Sequence, residues 1–364
     1  MPRKRMKLGE SPKTKKEILS TKMEREKFLH VLELLMPGLE RTGMVEQTAH
    51  FVFLGDKICT YNDRVCVLIP YETGLECSVE ADSFFKLVTK LEGEEIALRR
   101  KGNQVVVKSG KVQFGVSCSD DDQVPKLVDD LRLDKIKWTE LSKDFVEGLS
   151  LCVFSVSRDM TRLDLTGVYV SGEDLLSSDR YRISWYRSDD KMAATFLLPG
   201  TGAVALLEYS PTHYSVKEGE EAWAHFKNDA GVIFSARLLI EKFREKEVKE
   251  FFPKAKKGKK KVVLPVKELM GIIDRAKVLL SDVYLLDRKI FLEFTGDKII
   301  CKSEKQGRGW FVEKIAFKGK EKFEFVINPD FLEQALKYVV ELSFVGEDKI
   351  LLTAGNLRHL IALK

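Results

Sequence analysis

The side chains with the most reactive chemistry in this 364-residue chain are six cysteines and five histidines, and their spacing argues against such use. Cys59, Cys66, Cys77, Cys118, Cys152 and Cys301 form no C-x-x-C pair and sit mostly in apolar surroundings, so they read as reduced core residues. His30, His50, His213, His225 and His359 are equally dispersed, with no H-E-x-x-H and no Cys/His cluster at ligand spacing, and no metal site is expected. The densest run of oxygen ligands is Ser119-Asp120-Asp121-Asp122. Three consecutive carboxylates point in different directions, however, and the run falls in an expected linker. Pro199-Gly200-Thr201-Gly202 is the nearest approach to a phosphate cradle, and it reads instead as the start of a helix that Thr201 could cap. There is no G-x-x-x-x-G-K-[ST] loop, no G-x-S-x-G elbow and no G-x-G-x-x-G after a strand. A non-enzymatic protein without a cofactor is the expectation.

What remains is charge. The total of +5 is unevenly placed: residues 1–16 carry seven basic side chains and one acidic, and Lys254–Lys261 (KAKKGKKK) carries six basic ones. Removing these two +6 runs leaves −7 for the rest, so the body is acidic. A domain that reads a DNA groove carries a basic face, so any contact of this body with nucleic acid must come from locally arranged cations. The two runs read as a solvated tail and linker, with auxiliary phosphate attraction as the functional alternative. No stretch approaches the roughly 18 apolar residues of a membrane span, and the N-terminal segment lacks the apolar core of a secretory signal. A soluble intracellular protein without a membrane partner is expected.

The elements that must position these charges repeat. A strand-turn-strand unit occurs three times, as GEEIALRRKGNQVVVKSGKVQFGV, GEEAWAHFKNDAGVIFSARL and GEDKILLTAGNLRHLIAL. The turn glycines Gly110, Gly231 and Gly355 are 121 and 124 residues apart, about a third of the chain each. A tight hairpin turn needs a positive φ that a Cβ resists, which is why glycine stands there. About 25 residues before each glycine lies a helical segment: Phe84-Phe85-Lys86-Leu87, Ala205-Leu206-Leu207 and Asp330-Phe331-Leu332. Each block also opens on a helix, marked by EKFL (Glu26 to Leu29), KDFV (Lys143 to Val146) and KELM (Lys267 to Met270). In the middle block Leu141, Phe145, Leu149 and Cys152 form one buried stripe. β-Rich runs such as HFVFLG, RVCVLIPY and KIFLEFTGDKIIC lie between the helices. Blocks of about 120 residues exceed the usual 20–50 of solenoid units, so each is a full α+β domain with two helices against a sheet. Composition divides the chain into a disordered basic tail 1–20, domains 21–130 and 131–253, a basic linker 254–261 and a domain 262–364. The stretches SDDDQVPKLVDDLRLDK and FFPKAKKGKKKVVLP at the boundaries have no evident room for a buried face.

Three tandem α+β domains with this hairpin ending resemble the bacterial sliding clamp, the beta subunit of the replicative polymerase, over roughly residues 21–364. The run FFKLVTKLEGEEIALRRKGNQVVVKSGKVQFGVS is similar to the second half of that family's first domain, and LTGVYVSGEDLLSSDRYRIS to its middle-domain signature. The resemblance implies three copies of the DNA-clamp domain, a head-to-tail homodimer ring around duplex DNA, and a processivity role for a DNA polymerase. It also implies an ATP-dependent clamp loader, and location in the cytoplasm of a bacterial cell or infected bacterial host. A ring that holds DNA by topology needs only weak, sequence-independent phosphate contacts. The cations expected to line the hole are Lys86, Lys90, Lys143, Arg275, Lys277 and Lys337 on helices, with Arg158 and Arg162 in the loop SVSRDMTRL and Arg41 after the first helix. The family's peptide-docking cleft maps onto Leu165, Ser178, Arg182, Ile183, Asn328, Phe331, Leu360 and Ala362, although Leu165, Ile183 and Leu360 also suit plain core.

Three departures bear on that cleft. The turn that carries a small residue and a histidine in the family reads Asp179-Arg180-Tyr181-Arg182, EKFREKEVKEFFP replaces a shorter loop, and the ending Leu360-Ile361-Ala362-Leu363-Lys364 is altered. The cleft is expected to persist with a different preferred peptide. The competing class is a structural or interaction protein of repeated α+β domains that never meets DNA, which would have no reason to close a ring. A sequence reader of DNA is disfavoured by the acidic body and the lack of a recognition-helix or zinc-finger pattern.

Overall fold

The computed structural model describes residues 21–40, 45–217, 219, 221–253 and 261–364; Arg41, the tail 1–20 and the basic run as far as Lys260 lie outside them. The chain divides into two compact units, one of Val67–Leu133 with the residues up to Asn62, the other of Asp63–Cys66 and Asp134–Lys364.

The first unit contains β1 (Thr21–Glu24), β2 (His50–Asn62), β3 (Val65–Glu80), β4 (Glu95–Lys101), β5 (Gln104–Ser109) and β6 (Val112–Ser119), with helices α1 (Arg25–Leu35), α2 (Ala81–Thr89) and α3 (Gln123–Asp130). Helix α1 buries Phe28, Leu32 and Leu35 at helical spacing. Helix α2 begins at Glu80, whose carboxylate accepts the backbone N–H groups of Asp82 and Ser83. The Phe28 and Phe84 rings meet edge to face at 6.1 Å, and Phe84 also touches Phe51 and Phe53 of β2, so both helices share one core with the sheet. Strands run in the order β1-β4-β5-β6-β3, with β2 on β3. Strand β6 pairs with β5 along Val112–Ser117 but meets β3 only at Cys118 and Ser119, which leaves most of its other side an open edge among the described residues.

The second unit adds β7 (Thr139–Glu140), β8 (Gly167–Ser178), β9 (Arg182–Pro199), β10 (His213–Lys217), β11 (Trp223–Lys227), β12 (Ile233–Arg237), β13 (Val262–Val263), β14 (Ile290–Phe294), β15 (Lys298–Lys305), β16 (Gly309–Ala316), β17 (Phe323–Ile327), β18 (Glu341–Phe344), β19 (Lys349–Ala354) and β20 (Leu357–Ala362). Its helices are α4 (Phe145–Val153), α5 (Gly200–Leu206), α6 (Glu245–Glu250), α7 (Val266–Lys277) and α8 (Pro329–Leu336). Strands β7-β10-β11-β12 and β16-β15-β14-β17 form antiparallel arrays, and β13-β18-β19-β20-β9-β8 form a sheet drawn from both halves of the unit. The join is the β20–β9 pair, in which Leu360 faces Ile183 and His359 faces Ser184.

Mixed helices and antiparallel sheets are the α+β class expected, and the repeated signals fall where their spacing puts them. Gly110, Gly231 and Gly355 have φ of 54°, 81° and 52°. Leu141, Phe145, Leu149 and Cys152 are all buried. Two expectations need correction. The first boundary stretch does have a buried face: it folds as α3, with Val124 and Val128 inside. The Gln47 carboxamide ties its start, Oε1 accepting from the Val124 N–H at 2.7 Å and Nε2 donating to the Asp121 carbonyl at 2.5 Å. At the second boundary Phe252 and Leu264 are likewise buried. Thr201 does not cap α5, which starts at Gly200 after Pro199 with no side-chain cap.

Candidate functional site

The β20–β9 join floors a cleft of about 280 Å³ in the second unit. Ile183 and Leu360 sit side by side in register, Leu165 comes from the turn leading to β8, and Val248 of α6 closes the apolar surface. These four belong to one buried cluster with Leu197, Phe243 and Phe252. Helix α6 packs there because Phe243, Val248 and Phe252 bracket it: Phe243 stacks on Tyr169 at 5.0 Å and Phe252 meets Trp185 edge-on at 5.1 Å. Lys249 fixes the outer face, its ammonium 2.5 Å from Asp174 and also bonded to Glu245. The longer loop noted in the sequence is thus a helical wall of the cleft.

The opposite structural support is the turn between β8 and β9. Asp179 Oδ1 accepts the N–H groups of Tyr181 (3.1 Å) and Arg182 (3.0 Å), and Ser178 Oγ accepts from Arg180 N–H at 3.2 Å and donates to the Arg182 carbonyl at 3.0 Å. This clamps Arg180 at φ 78°, a conformation that costs a side chain with a Cβ on the order of 1 kcal/mol or more. Arg180 and Tyr181 are exposed on the cleft as a result. Arg182 is only 8% exposed. Its guanidinium pairs with Asp179 at 2.8 Å, bonds Gln334 at 2.5 Å and lies 4.4 Å from the Phe331 ring centroid.

Six of the eight residues mapped to the cleft from sequence therefore line it: Leu165, Ser178, Arg182, Ile183, Leu360 and Ala362. Asn328 and Phe331 do not. Asn328 caps α8 through the N–H groups of Asp330 and Phe331 and donates to the Leu285 carbonyl at 2.7 Å, and buried Phe331 supports the cleft from behind, against the Arg182 guanidinium and, at 6.2 Å between ring centroids, Tyr181. Sequence reasoning missed Arg244, Glu247, Val248 and Phe251 of the α6 segment, and Lys349. The Phe-x4-Val-x3-Phe spacing of 243, 248 and 252 was the available signal.

Behind the floor, His359 Nδ1 lies 2.9 Å from Ser184 Oγ, itself 2.7 Å from Ser155 Oγ, and His359 Nε2 has no hydrogen-bond partner. Burial, with the nearby Arg182 charge, pushes its pKa down to about 3. The buried thiols of Cys59, Cys77, Cys152 and Cys301 are pushed up to about 12, chiefly by burial, which disfavours the thiolate. Among the described residues no His, Cys, Asp and Glu side chains gather as three or more potential metal ligands, and no helix is long and apolar enough to cross a membrane.

The cations assigned to DNA fall into three groups. Lys90 and Lys337 stand exposed at the C-terminal ends of α2 and α8, Arg158 is exposed in the loop after α4, and Lys143 is exposed in the turn before α4 rather than on the helix. None of these four is in an ion pair with a described residue. Lys86 is exposed but 2.6 Å from Asp82, and Arg275 forks onto Glu313 at 2.7 and 2.5 Å, holding that carboxyl below its usual range. Lys277 and Arg162 are engaged elsewhere. Lys277 joins α7 to α8 through Asp330 (2.8 Å) and Glu333 (2.5 Å): burial lowers its pKa, and those two hydrogen bonds outweigh it and leave it raised. Arg162 forks onto Asp164 at 2.9 and 2.8 Å and lines the cleft at the β20–β9 join. Arg41 lies outside the described residues.

No family model and no curated protein sequence matches the chain. Solved structures do. The beta subunit of the Streptococcus pyogenes DNA polymerase superposes with a TM-score of 0.77 at 18% identity, covering 95% of this chain and 100% of that one. The Bacillus subtilis DNA polymerase sliding clamp gives 0.75 at 20% identity, with 96% and 99% covered. The Thermotoga maritima DNA polymerase III beta subunit gives 0.75 at 17%, with 95% and 99% covered. Across nearly its whole length, this chain has the fold of the bacterial sliding clamps.

Proposed function

We propose that the chain is a DNA sliding clamp, in which two copies join head to tail as a ring of six clamp domains that encircles duplex DNA and tethers a polymerase as its processivity factor. The observation that carries this reading is the end-to-end likeness of the fold to sliding clamps, over 95% or more of the chain. The division into domains 21–130, 131–253 and 262–364 belongs to the proposal, and the recurrence of a helix pair and a terminal hairpin in each supports it. So do two edge strands. β6 and β16 are both eight residues long, with the same alternation of exposure along them, and β16 is the terminal strand of its sheet. Exposed edges invite pairing with another chain, and β6 of one copy against β16 of the next covers both with one heterologous contact.

Encirclement asks little of the protein chemically. The exposed cations Lys90, Lys143, Arg158 and Lys337 supply weak phosphate contacts that permit sliding, and the cleft receives peptides of the polymerase and of an ATP-dependent loader. A closed ring cannot thread onto circular DNA unaided, so the ATP chemistry belongs to the loader and the clamp acts without catalysis, in the cytoplasm where replication proceeds. The edge-strand pairing is tested by placing lysines at both exposed valines, Val112→Lys and Val312→Lys, which puts like charges on both strands of each junction. Sedimentation should then give 41.6 kDa monomers in place of dimers. A double variant that still sediments as the wild type would refute the pairing.

A further inference from the structure

We infer that the cleft of the second unit takes a linear peptide in which carboxylates flank an apolar anchor, an inference that rests on the reading of this cleft as a peptide dock. The charge pattern carries it. Five cationic side chains line the cleft, Arg162, Arg180, Arg182, Arg244 and Lys349, against two carboxylates, Asp164 and Glu247. The lining is therefore +3, within a body that carries −7 once its two basic runs are set aside.

Local pairing separates the structural cations from those left for a ligand. Arg182 is buried against Asp179, and Arg162 is held in a two-point fork by Asp164, whose carboxyl that hydrogen bond keeps below its usual range. Of the other three, Arg180 and Arg244 are exposed and Lys349 is a quarter exposed. Arg180 has no ion pair with a described residue, and its turn is clamped by Asp179 and Ser178. Arg244 meets Glu247 only at 3.3 Å with both side chains about two-thirds exposed, a pair that solvent screens to little strength. Lys349 touches Asp348, its own neighbour, which is 69% exposed and does not line the cleft. The three come from separate places in the chain, the β8–β9 turn, the N-cap of α6 and β19, around the floor of Ile183, Leu360, Leu165 and Val248. An apolar anchor fills such a floor, and carboxylates on both sides of it meet the surrounding cations.

The test uses the full-length protein and two fluorescein-labelled peptides with one shared Leu-Leu-Phe core, flanked in one by Asp and Glu and in the other by Asn and Gln. Fluorescence anisotropy at low and high salt reads both affinities. The acidic peptide should bind about tenfold tighter at low salt, with the advantage shrinking as salt rises. The triple variant Arg180→Asn, Arg244→Gln, Lys349→Gln should bring the ratio close to one; asparagine tolerates the positive φ of the turn. Equal affinity of the two peptides for the wild-type protein overturns the acidic preference while leaving the peptide dock standing. Failure of both peptides to bind overturns the dock itself.

Discussion

Acidification from pH 7.5 to 5.0 should weaken the folded second unit through two histidines. His359, behind the cleft floor, has its pKa lowered to about 3 by burial and then by the Arg182 charge; His225 on β11 is lowered to about 4 by burial and then by Lys217. Both are neutral when folded, whereas the unfolded chain protonates them near the ordinary 6.5. The unfolded state thus binds more protons below pH 6.5, so this stability is fully present above 6.5 and is lost as pH falls toward the folded values. At pH 5 the gap of ~1.5 units to the unfolded value makes the loss about 2 kcal/mol per histidine, about 4 for the pair. Carboxylates stay largely ionised there and contribute little. With an m-value on the order of 3 kcal/mol/M, the urea midpoint should fall by roughly 1 M. His359→Phe keeps a ring against Phe154, now 5.0 Å away, and removes the titration, so it should abolish about half of the pH shift whatever its effect at pH 7.5. A wild-type midpoint that is the same at both pH values would refute the reasoning, as would a His359→Phe variant that keeps the full shift.

Lys90→Glu, Arg158→Glu and Lys337→Glu together should weaken retention on DNA and reduce the slope of log affinity against log salt by about 1 for each phosphate no longer neutralised, measured by titration in graded salt. An unchanged slope would remove these residues from the DNA interface. Lys277→Met should cost about 1–3 kcal/mol in chemical denaturation, because Glu333 and the 11%-exposed Asp330 lose their shared ammonium, with Asp330 retaining Arg288 at 3.2 Å. Phe252→Ala should cost about 3–5 kcal/mol and release α6 from the Trp185 face, which calorimetry and loss of peptide binding in the same variant would register.

The parts of this molecule that were legible in its sequence are those written in periodicity. The three turn glycines carry positive φ, and α1, α4 and α7 start at or within two residues of the helix openings marked by EKFL, KDFV and KELM. The boundary helix α3 was hidden because it buries only Val124 and Val128, amid aspartates, and its start is tied by Gln47, 77 residues away from Val124 in sequence. Cation roles were the least legible. Lys277 and Arg162 look like any exposed basic residue in one dimension, and only folding brings Asp330 and Glu333 to the first and aims the second into the cleft. Arg180 and Tyr181 were visible as a departure from the family turn, and the Asp179-centred hydrogen bonds explain why bulk is accommodated there.

Encirclement is tested most directly by imaging the purified full-length protein in negative stain at a concentration where its mass in solution is known. The account predicts closed rings with a central hole and a mass of about 83 kDa, twice 41.6 kDa. Compact 41.6 kDa particles without a hole at every concentration would contradict it and leave only the clamp fold.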